Sequence, residues 1–381
     1  MSIIIYQNLT VAPTKGGISR MSSVYCNILT KKGYEVWYVS SSRGDRMPLE
    51  RQLYIEGNNL DEKRESLHYL IKEHQVELMI YQDGIAPRNS YILLWAREMG
   101  LKNVCVIHST LNGMYGMDGH PLLSSIKPKA LRWGVNKCVN YYFMHKYGRF
   151  YREEFENSDK VILLSDKFQK EITFFTGWHD FSKFQTISNP LTMAGRAVCQ
   201  LEKVKSVLHV GLLSSSKRQD LLLKIWKLVE SKRPDWQLKV VGEGGLRKKL
   251  ESQAKKLGLV KIKFLGFQSP EPFYEEAPIF CLTSGFEGFG LVLVESMAYG
   301  CVPIAFNSFE TACDIIDDGV NGKLIPPFDI QKYADELIKL MDDEALRAKM
   351  SAKAIEKSKT FDIDKIGHKW VTLVHELLND K

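Results

Sequence analysis

Short apolar runs alternate with longer amphipathic stretches along this chain, and the alternation runs its course twice. Ile3-Ile4-Ile5-Tyr6 has the length of a buried strand. Residues 18–32 follow it with Ile18, Met21, Val24, Ile28 and Leu29 near helical spacing and Gly33 as the stop. Val36-Trp37-Tyr38-Val39 reads as the next strand, then come a helix near 61–74, a strand at 78–81, a helix at 90–98, a strand at 104–107, a helical region over 122–157 and a strand at 161–164. The turn signal Asn189-Pro190 interrupts the pattern, which restarts with strands at 207–210, 238–241, 263–265, 279–282 and 302–306. Helices are expected near 217–232, 245–257, 291–299 and 330–341. Strands alternating with helices at this pitch demand βαβ units, hence parallel sheets covered on both faces. The last 20 residues put Ile366, Trp370, Leu373, Val374 and Leu377 on one face of a terminal amphipathic helix.

Composition sets limits around this pattern. A chain of 381 residues, 44% hydrophobic and 25% charged, has room for two domains with their own cores. Seven cysteines without CxxC or His-spaced pairs point to neither a disulfide framework nor a zinc site, and so to a reducing, cytosolic compartment. The start, MSIIIYQNLT, has no basic n-region or long apolar stretch of a cleaved signal, and no apolar run approaches the ~20 residues of a spanning helix. The net charge of +7 is local: residues 127–152 hold seven Lys/Arg, seven aromatics and no Asp/Glu, and the rest of the chain carries 45 charges of each sign.

In open parallel sheets ligands bind beyond the carboxyl ends of strands, so the strand-to-helix loops are where chemistry is expected. The first, Pro13-Thr14-Lys15-Gly16-Gly17-Ile18, pairs two glycines before a helix, which lets backbone N–H groups approach an anion; read structurally it is only a flexible loop. A second, Gly211-Leu212-Leu213-Ser214-Ser215-Ser216-Lys217-Arg218, brings two cations to the expected start of a helix, where they oppose the macrodipole unless an anion lies between them. Neither loop is a GxGxxG or a Walker A. The third, Ser284-Gly285-Phe286-Glu287-Gly288-Phe289-Gly290, leads into an apolar helix ended by Gly300, with Glu295 more than one turn inside it. A carboxylate among Leu291, Val292, Leu293, Val294, Met297 and Ala298 costs several kcal/mol unless ligand hydroxyls or a structural ion pair satisfy it.

The Glu287-to-Glu295 spacing resembles the E-x7-E signature of the retaining glycosyltransferases of family 4. The likeness runs over nearly the whole chain through Gly16-Gly17, His108, Asn189-Pro190-Leu191, Val241-Gly242-Glu243-Gly244, Phe264-Leu265-Gly266 and Ala277-Pro278-Ile279-Phe280. It implies an α/β protein of the GT-B fold, with two Rossmann-like βαβ domains facing a central cleft. The N-terminal, acceptor-side domain is expected over 1–190, the nucleotide-sugar domain over 191–360, and a helix at 361–381 packing back on the first. By the same resemblance Glu295 holds the ribose hydroxyls and Glu287 the donor-sugar hydroxyls. Lys217 and the amides of Gly288, Phe289, Gly290 and Leu291 hold diphosphate and sugar, with Gly16 and Gly17 completing the cradle. Gly266 and Phe267 meet the base, uracil by family frequency, and His108 faces the donor sugar. The expected reaction is metal-free transfer, with retention, from a nucleotide-diphosphate sugar to a hydroxyl. By the same resemblance neither metal nor resident cofactor is expected.

One departure stands out. The family has arginine where this chain has Leu212, which leaves Arg218, Ser214, Ser215, Ser216 or Lys15 as replacements in the diphosphate clamp. The basic aromatic segment suits an anionic membrane surface, through Trp133, Lys137, Tyr141, Tyr142, Phe143, Lys146 and Arg149, and with it a lipid-linked or saccharide acceptor of capsule, exopolysaccharide or lipopolysaccharide assembly. That places the protein in the cytoplasm, peripheral at the inner face of the cell membrane. The competing readings are a sugar-nucleotide epimerase or phosphorylase on the same fold, and a catalytically weak relative that binds membrane or nucleic acid through 127–152; nucleic acid is not expected as a partner, because it leaves the second domain's loops unexplained.

Overall fold

The computed structural model describes residues 1–12, 16–44, 47–84, 89–109, 129–193 and 203–379, with side chains between 129 and 147 described only at 135, 137, 138, 141, 142 and 145. Contacts divide these residues into two compact units, one holding the described residues before 110 together with Ala130–Pro190 and the chain from Ile363, the other spanning Leu191–Asp362.

In chain order the first unit contains β1 (Ser2–Tyr6), α1 (Gly17–Thr30), β2 (Glu35–Ser40), β3 (Gln52–Tyr54), α2 (Leu60–Glu73), β4 (Val76–Gly84), α3 (Tyr91–Glu98), β5 (Lys102–Ile107), α4 (Lys129–Glu156), β6 (Lys160–Leu163), α5 (Phe168–Thr176) and β7 (Phe184–Thr186). Its seven strands are all parallel, in the order β3-β2-β1-β4-β5-β6-β7. The central strands are apolar on both faces: Ile3, Ile5, Leu78, Ile80, Val104 and Val106 are fully buried, as helices on both sides of a parallel sheet require. Local sequence sets the helix ends. Asn59 accepts the Glu62 N–H at 2.9 Å, and the Glu62 carboxylate reaches back to the Asn58 N–H at 2.7 Å, a capping box that starts α2.

The second unit contains β8 (Ser206–Val210), α6 (Gln219–Glu230), β9 (Gln237–Val241), α7 (Arg247–Lys256), β10 (Ile262–Gly266), α8 (Glu271–Glu276), β11 (Ile279–Leu282), α9 (Leu291–Ala298), β12 (Val302–Phe306), α10 (Ala312–Ile315), β13 (Lys323–Ile325), α11 (Ile330–Asp342) and α12 (Glu344–Ser358). The sheet order is β10-β9-β8-β11-β12-β13, again all parallel. Trp226, Leu222, Ile225, Leu337 and Tyr333 fill the layer between its helices and Val207, Ile304 and Phe306 of the sheet.

The last helix, α13 (Ile363–Asn379), belongs to the first unit. Its face of Ile366, Trp370, Leu373, Val374 and Leu377 is buried, and Trp370 lies against the Tyr25 ring of α1 at 4.4 Å between centroids. Gly367 lets the two helices close up, since a Cβ there would stand 3.3 Å from Ile28. The fold is two Rossmann-like parallel α/β domains, the GT-B class.

The helical region expected over 122–157 is helix from Lys129 to Glu156, and 122–128 lie outside the described residues. One sequence expectation needs correction. The helix expected from residue 217 starts at Gln219. A 3-10 turn, Ser215–Lys217, precedes it, and Arg218 between them has a left-handed backbone (φ 50°).

Candidate active site

The strand order of the second sheet reverses between β8 and β11, the place where an open parallel sheet leaves a crevice for a ligand. The loops leaving these two strands carry Lys217 and Glu287.

The loop after β8 is pinned from below by His209. Its Nδ1 donates to the Cys281 carbonyl at 3.0 Å, so Nε2 is the acceptor and takes a hydrogen bond from Gln219 Nε2 at 3.2 Å. The same Gln219 nitrogen donates to the Leu212 carbonyl at 2.9 Å. Burial drives the His209 imidazole down to about 4, which keeps it neutral and able to accept. Leu212 turns its side chain outward, 62% exposed, so an apolar group occupies the position where the resemblance expects an arginine. Arg218 is no simple substitute. Its guanidinium is buried against Asp220, with Nε–Oδ1 at 3.0 Å and Nη2–Oδ2 at 3.3 Å, and lies 5.4 Å over the Phe328 ring. Lys15 lies outside the described residues.

Lys217 and Glu287 meet across the crevice. Lys217 Nζ is 2.5 Å from both carboxylate oxygens, and Ser284 Oγ donates to Oε1 at 2.7 Å. The two loops are sewn together by backbone: Thr283 Oγ1 lies 3.2 Å from the carbonyls of Lys217 and Arg218, and the Gly285 N–H bonds the Ser216 carbonyl at 2.8 Å. From the loop after β12, Ser308 Oγ donates to the Ser284 carbonyl (2.6 Å) and Thr311 Oγ1 to the Phe289 carbonyl (2.9 Å). Phe289 itself is a core side chain, edge-on to Phe361 at 5.6 Å, so only its backbone can serve a ligand.

Gly290 takes a left-handed φ of 87° to enter α9, and no side chain among the described residues caps that helix. The segment Gly288, Phe289, Gly290, Leu291 therefore brings backbone N–H groups and the positive end of α9 to the ion pair, a combination suited to an anion. Glu295 lies one turn further in, 2% exposed, and accepts from the Tyr274 hydroxyl at 3.3 Å. Tyr274 is anchored in turn, its carbonyl taking the Lys203 ammonium at 2.9 Å. Gly266 closes β10 with φ 78°, and Phe267 beside it is 74% exposed.

His108, Gly16 and Gly17 belong to the first unit. Gly16 (φ 128°) is the N-cap of α1, and a Cβ on either glycine would meet none of the described residues within 4 Å. His108 follows β5, nearly buried, with Nε2 hydrogen-bonded to the Gln82 side chain; burial lowers its imidazole to about 4. Of the basic aromatic segment, Lys137, Tyr141, Tyr142 and Arg149 are exposed, Tyr151 is core, and the side chains of Trp133, Phe143 and Lys146 lie outside the described residues. Among the described residues no cluster of His, Cys, Asp or Glu has the grouping of a metal site, and no helix is long and apolar enough to cross a membrane.

Sequence reasoning passed over the bracing groups Thr283, Ser308, Thr311, His209 and Tyr274. Nothing local marks them, because each acts on a partner brought near by the fold.

Residues 197–357 match the family of glycosyl transferases group 1. An uncharacterized glycosyltransferase of Haemophilus influenzae is 28% identical over 93% of this chain and 95% of its own length. A Campylobacter jejuni enzyme named as an α-1,4-N-acetyl-D-galactosaminyltransferase acting on a GalNAc-containing, diphospho-undecaprenol-linked glycan is 28% identical over 74% of this chain and 71% of its own. The crystal structure of Anabaena Alr3699/HepE in complex with UDP superposes with a TM-score of 0.73 at 19% identity, over 99% of this chain and 100% of that one. Together with the two-sheet architecture these likenesses support a GT-B glycosyltransferase.

Proposed function

We infer that the chain is a retaining, metal-independent family 4 glycosyltransferase, carrying a sugar from a UDP-sugar to a hydroxyl of a lipid-linked glycan in cell-surface polysaccharide assembly. The observation that carries this reading is the Lys217–Glu287 pair at the strand-order reversal, set at the uncapped start of α9 with Glu295 one turn inside. An arriving diphosphate supplies Lys217 with a second anion and meets the amides from Gly288 to Leu291. The Glu287 carboxylate is then available to sugar hydroxyls, and Glu295 to the ribose. Gly266 and Phe267 flank the base; Gly16, Gly17 and His108, in the first unit, are the residues the family resemblance assigns to the donor. The leaving diphosphate is stabilised by fixed N–H dipoles and the ammonium as the glycosidic bond breaks, which is the main source of rate in this scheme. The acceptor hydroxyl attacks from the face the phosphate leaves and gives its proton to a phosphate oxygen, so the anomeric configuration is kept. The neutral His108 suits hydrogen bonding to a sugar hydroxyl rather than pairing with phosphate.

A bound UDP in one fold neighbour and a diphospho-undecaprenol-linked substrate in the name of one relative support the choice of donor and acceptor. Exposed Tyr141, Tyr142 and Lys137 suit peripheral docking at an anionic leaflet from the cytoplasmic side. The test is incubation with a UDP-hexose panel, in EDTA, with diphospho-undecaprenol-linked glycans presented in neutral or anionic liposomes. Proton NMR of the product is expected to show an α-linkage from an α-donor, formed faster on anionic liposomes. A β-linked product, or turnover that requires added metal, would contradict the reading.

A further inference from the structure

The six-residue helix α8 buries a single side chain, Tyr274. Its ring is fully buried, stacked on Tyr299 at 5.7 Å between centroids with 26° between the planes, and it lies 5.9 Å from the Phe280 ring. Phenylalanine would fill that space without the desolvation cost of a phenolic hydroxyl. The hydroxyl is put to use on α9, where it stands 3.3 Å from Glu295 Oε2. An ionised carboxylate only accepts, so the hydroxyl is the donor, and a donor fixed on one oxygen restricts the rotation of the carboxylate plane. That orientation matters for a vicinal diol such as ribose, whose neighbouring hydroxyls both reach a carboxylate only when its plane faces them.

The anchoring of Tyr274 is a second observation. Lys203, in the segment that enters the second unit, directs its ammonium at three backbone carbonyls: Tyr274 at 2.9 Å, Ala277 at 3.2 Å and Tyr299 at 2.9 Å. All three of its donors are thereby used. Tyr274 and Ala277 lie at the C-terminal end of α8, and Tyr299 is the C-cap of α9, so the cation meets the negative ends of both helices. Burial lowers the ammonium below its ordinary value, which makes this a charge held at a cost. The Val204 N–H adds a bond to the Glu276 carbonyl at 3.0 Å, and Cys301 Sγ, just past α9, donates to the Tyr274 carbonyl at 3.2 Å. Since α8 carries the hydroxyl and α9 the carboxylate, these contacts hold the two groups in register.

We propose that Tyr274 is a positioning residue for nucleotide recognition: its hydroxyl, set in place by Lys203, orients the Glu295 carboxylate, and the site thereby distinguishes a ribonucleotide from a deoxyribonucleotide. This rests on the assignment of Glu295 to the ribose in the reading above.

The test is calorimetry of UDP and of 2′,3′-dideoxy-UDP, in EDTA, on the full chain as wild type, Tyr274→Phe, Glu295→Ala and the double variant. Wild type is expected to bind UDP at least tenfold more tightly than the dideoxy probe. Tyr274→Phe keeps the ring and its stacking. It is expected to weaken UDP at least fivefold and to leave the dideoxy probe within twofold, whereas a general loosening of the fold would weaken both alike. In the Glu295→Ala background the same substitution is expected to change UDP affinity less than twofold, because the hydroxyl then has no carboxylate to orient. An undiminished preference for UDP in Tyr274→Phe, equal weakening of both ligands, or a fivefold loss that persists without Glu295 would overturn the proposal and leave the donor reading standing. Equal affinity of wild type for UDP and the dideoxy probe would remove Glu295 from the ribose and the proposal with it. Wild type that binds neither would overturn the donor reading itself.

Discussion

Glu287→Gln is expected to slow transfer from a UDP-sugar by about a hundredfold or more, the scale seen when a single preorganised polar group is removed from a site that stabilises developing charge. Glutamine has nearly the same shape but cannot neutralise Lys217, and it loses the charged acceptor that Ser284 Oγ now bonds. Lys217 is only 22% exposed as a side chain and Glu287 9%, so removing one charge leaves the other poorly solvated. The folded state should lose roughly 1–3 kcal/mol without ligand. UDP brings its own anion to Lys217, so saturating UDP should recover part of that loss, and the variant should gain more from UDP in thermal unfolding than wild type does. A rate within threefold of wild type would remove Glu287 from the mechanism.

Gly242→Ala should be the most damaging small substitution in the second unit. Gly242 has φ 139°, and a Cβ built there would stand 2.0 Å from the Gly211 carbonyl oxygen and 2.9 Å from its carbon. Both obstacles are backbone, so no side chain can swing aside. The Gly242 N–H bonds the Gly266 carbonyl at 2.8 Å and the Gly211 N–H bonds the Val241 carbonyl at 3.0 Å, which together tie the ends of β8, β9 and β10 beneath the loops that carry Leu212 and Phe267. Strained φ and a backbone displacement together should cost about 3 kcal/mol or more. Gly245→Ala is the control, three residues on, where a Cβ meets none of the described residues within 4 Å and φ is not left-handed. Guanidinium unfolding is expected to show a large drop in midpoint for the first variant and almost none for the second; equal midpoints would contradict the account of the close approach.

Much of the architecture was legible because buried parallel strands are written as continuous apolar runs, and Ile3-Ile4-Ile5-Tyr6 and Val302 to Phe306 are runs of that kind. What escaped were elements without such a run. β3, β7 and β13 are three-residue edge strands of mixed polarity (QLY, FQT, KLI) that exist because a neighbouring strand offers a ladder. α12 buries only Met350, Ala354 and Ser358, too thin a stripe to show as periodicity in a lysine-rich stretch. α5, α8 and α10 are short, and α10 is a single turn.

At the site, the glycine-spaced pair Glu287 and Glu295 was visible because a carboxylate inside an apolar helix has no cheap structural reason to be there. The 3-10 turn that carries Lys217 was not, since it depends on Arg218 adopting a left-handed backbone with its guanidinium tied to Asp220. Tyr274 reaches Glu295 from 21 residues away in the chain, and Thr311 reaches the Phe289 carbonyl from 22. Such partners follow only from the packed sheet.

Isothermal titration of UDP into wild type and into Glu295→Ala, each in EDTA, tests the central claim most directly. Glu295 is expected to hold ribose hydroxyls in a site that uses no metal. The account therefore predicts UDP binding by wild type that survives EDTA and falls at least tenfold in the variant, whose removed carboxylate costs about 1.4 kcal/mol per factor of ten. Absence of UDP binding by wild type, or equal affinity in Glu295→Ala, would contradict it.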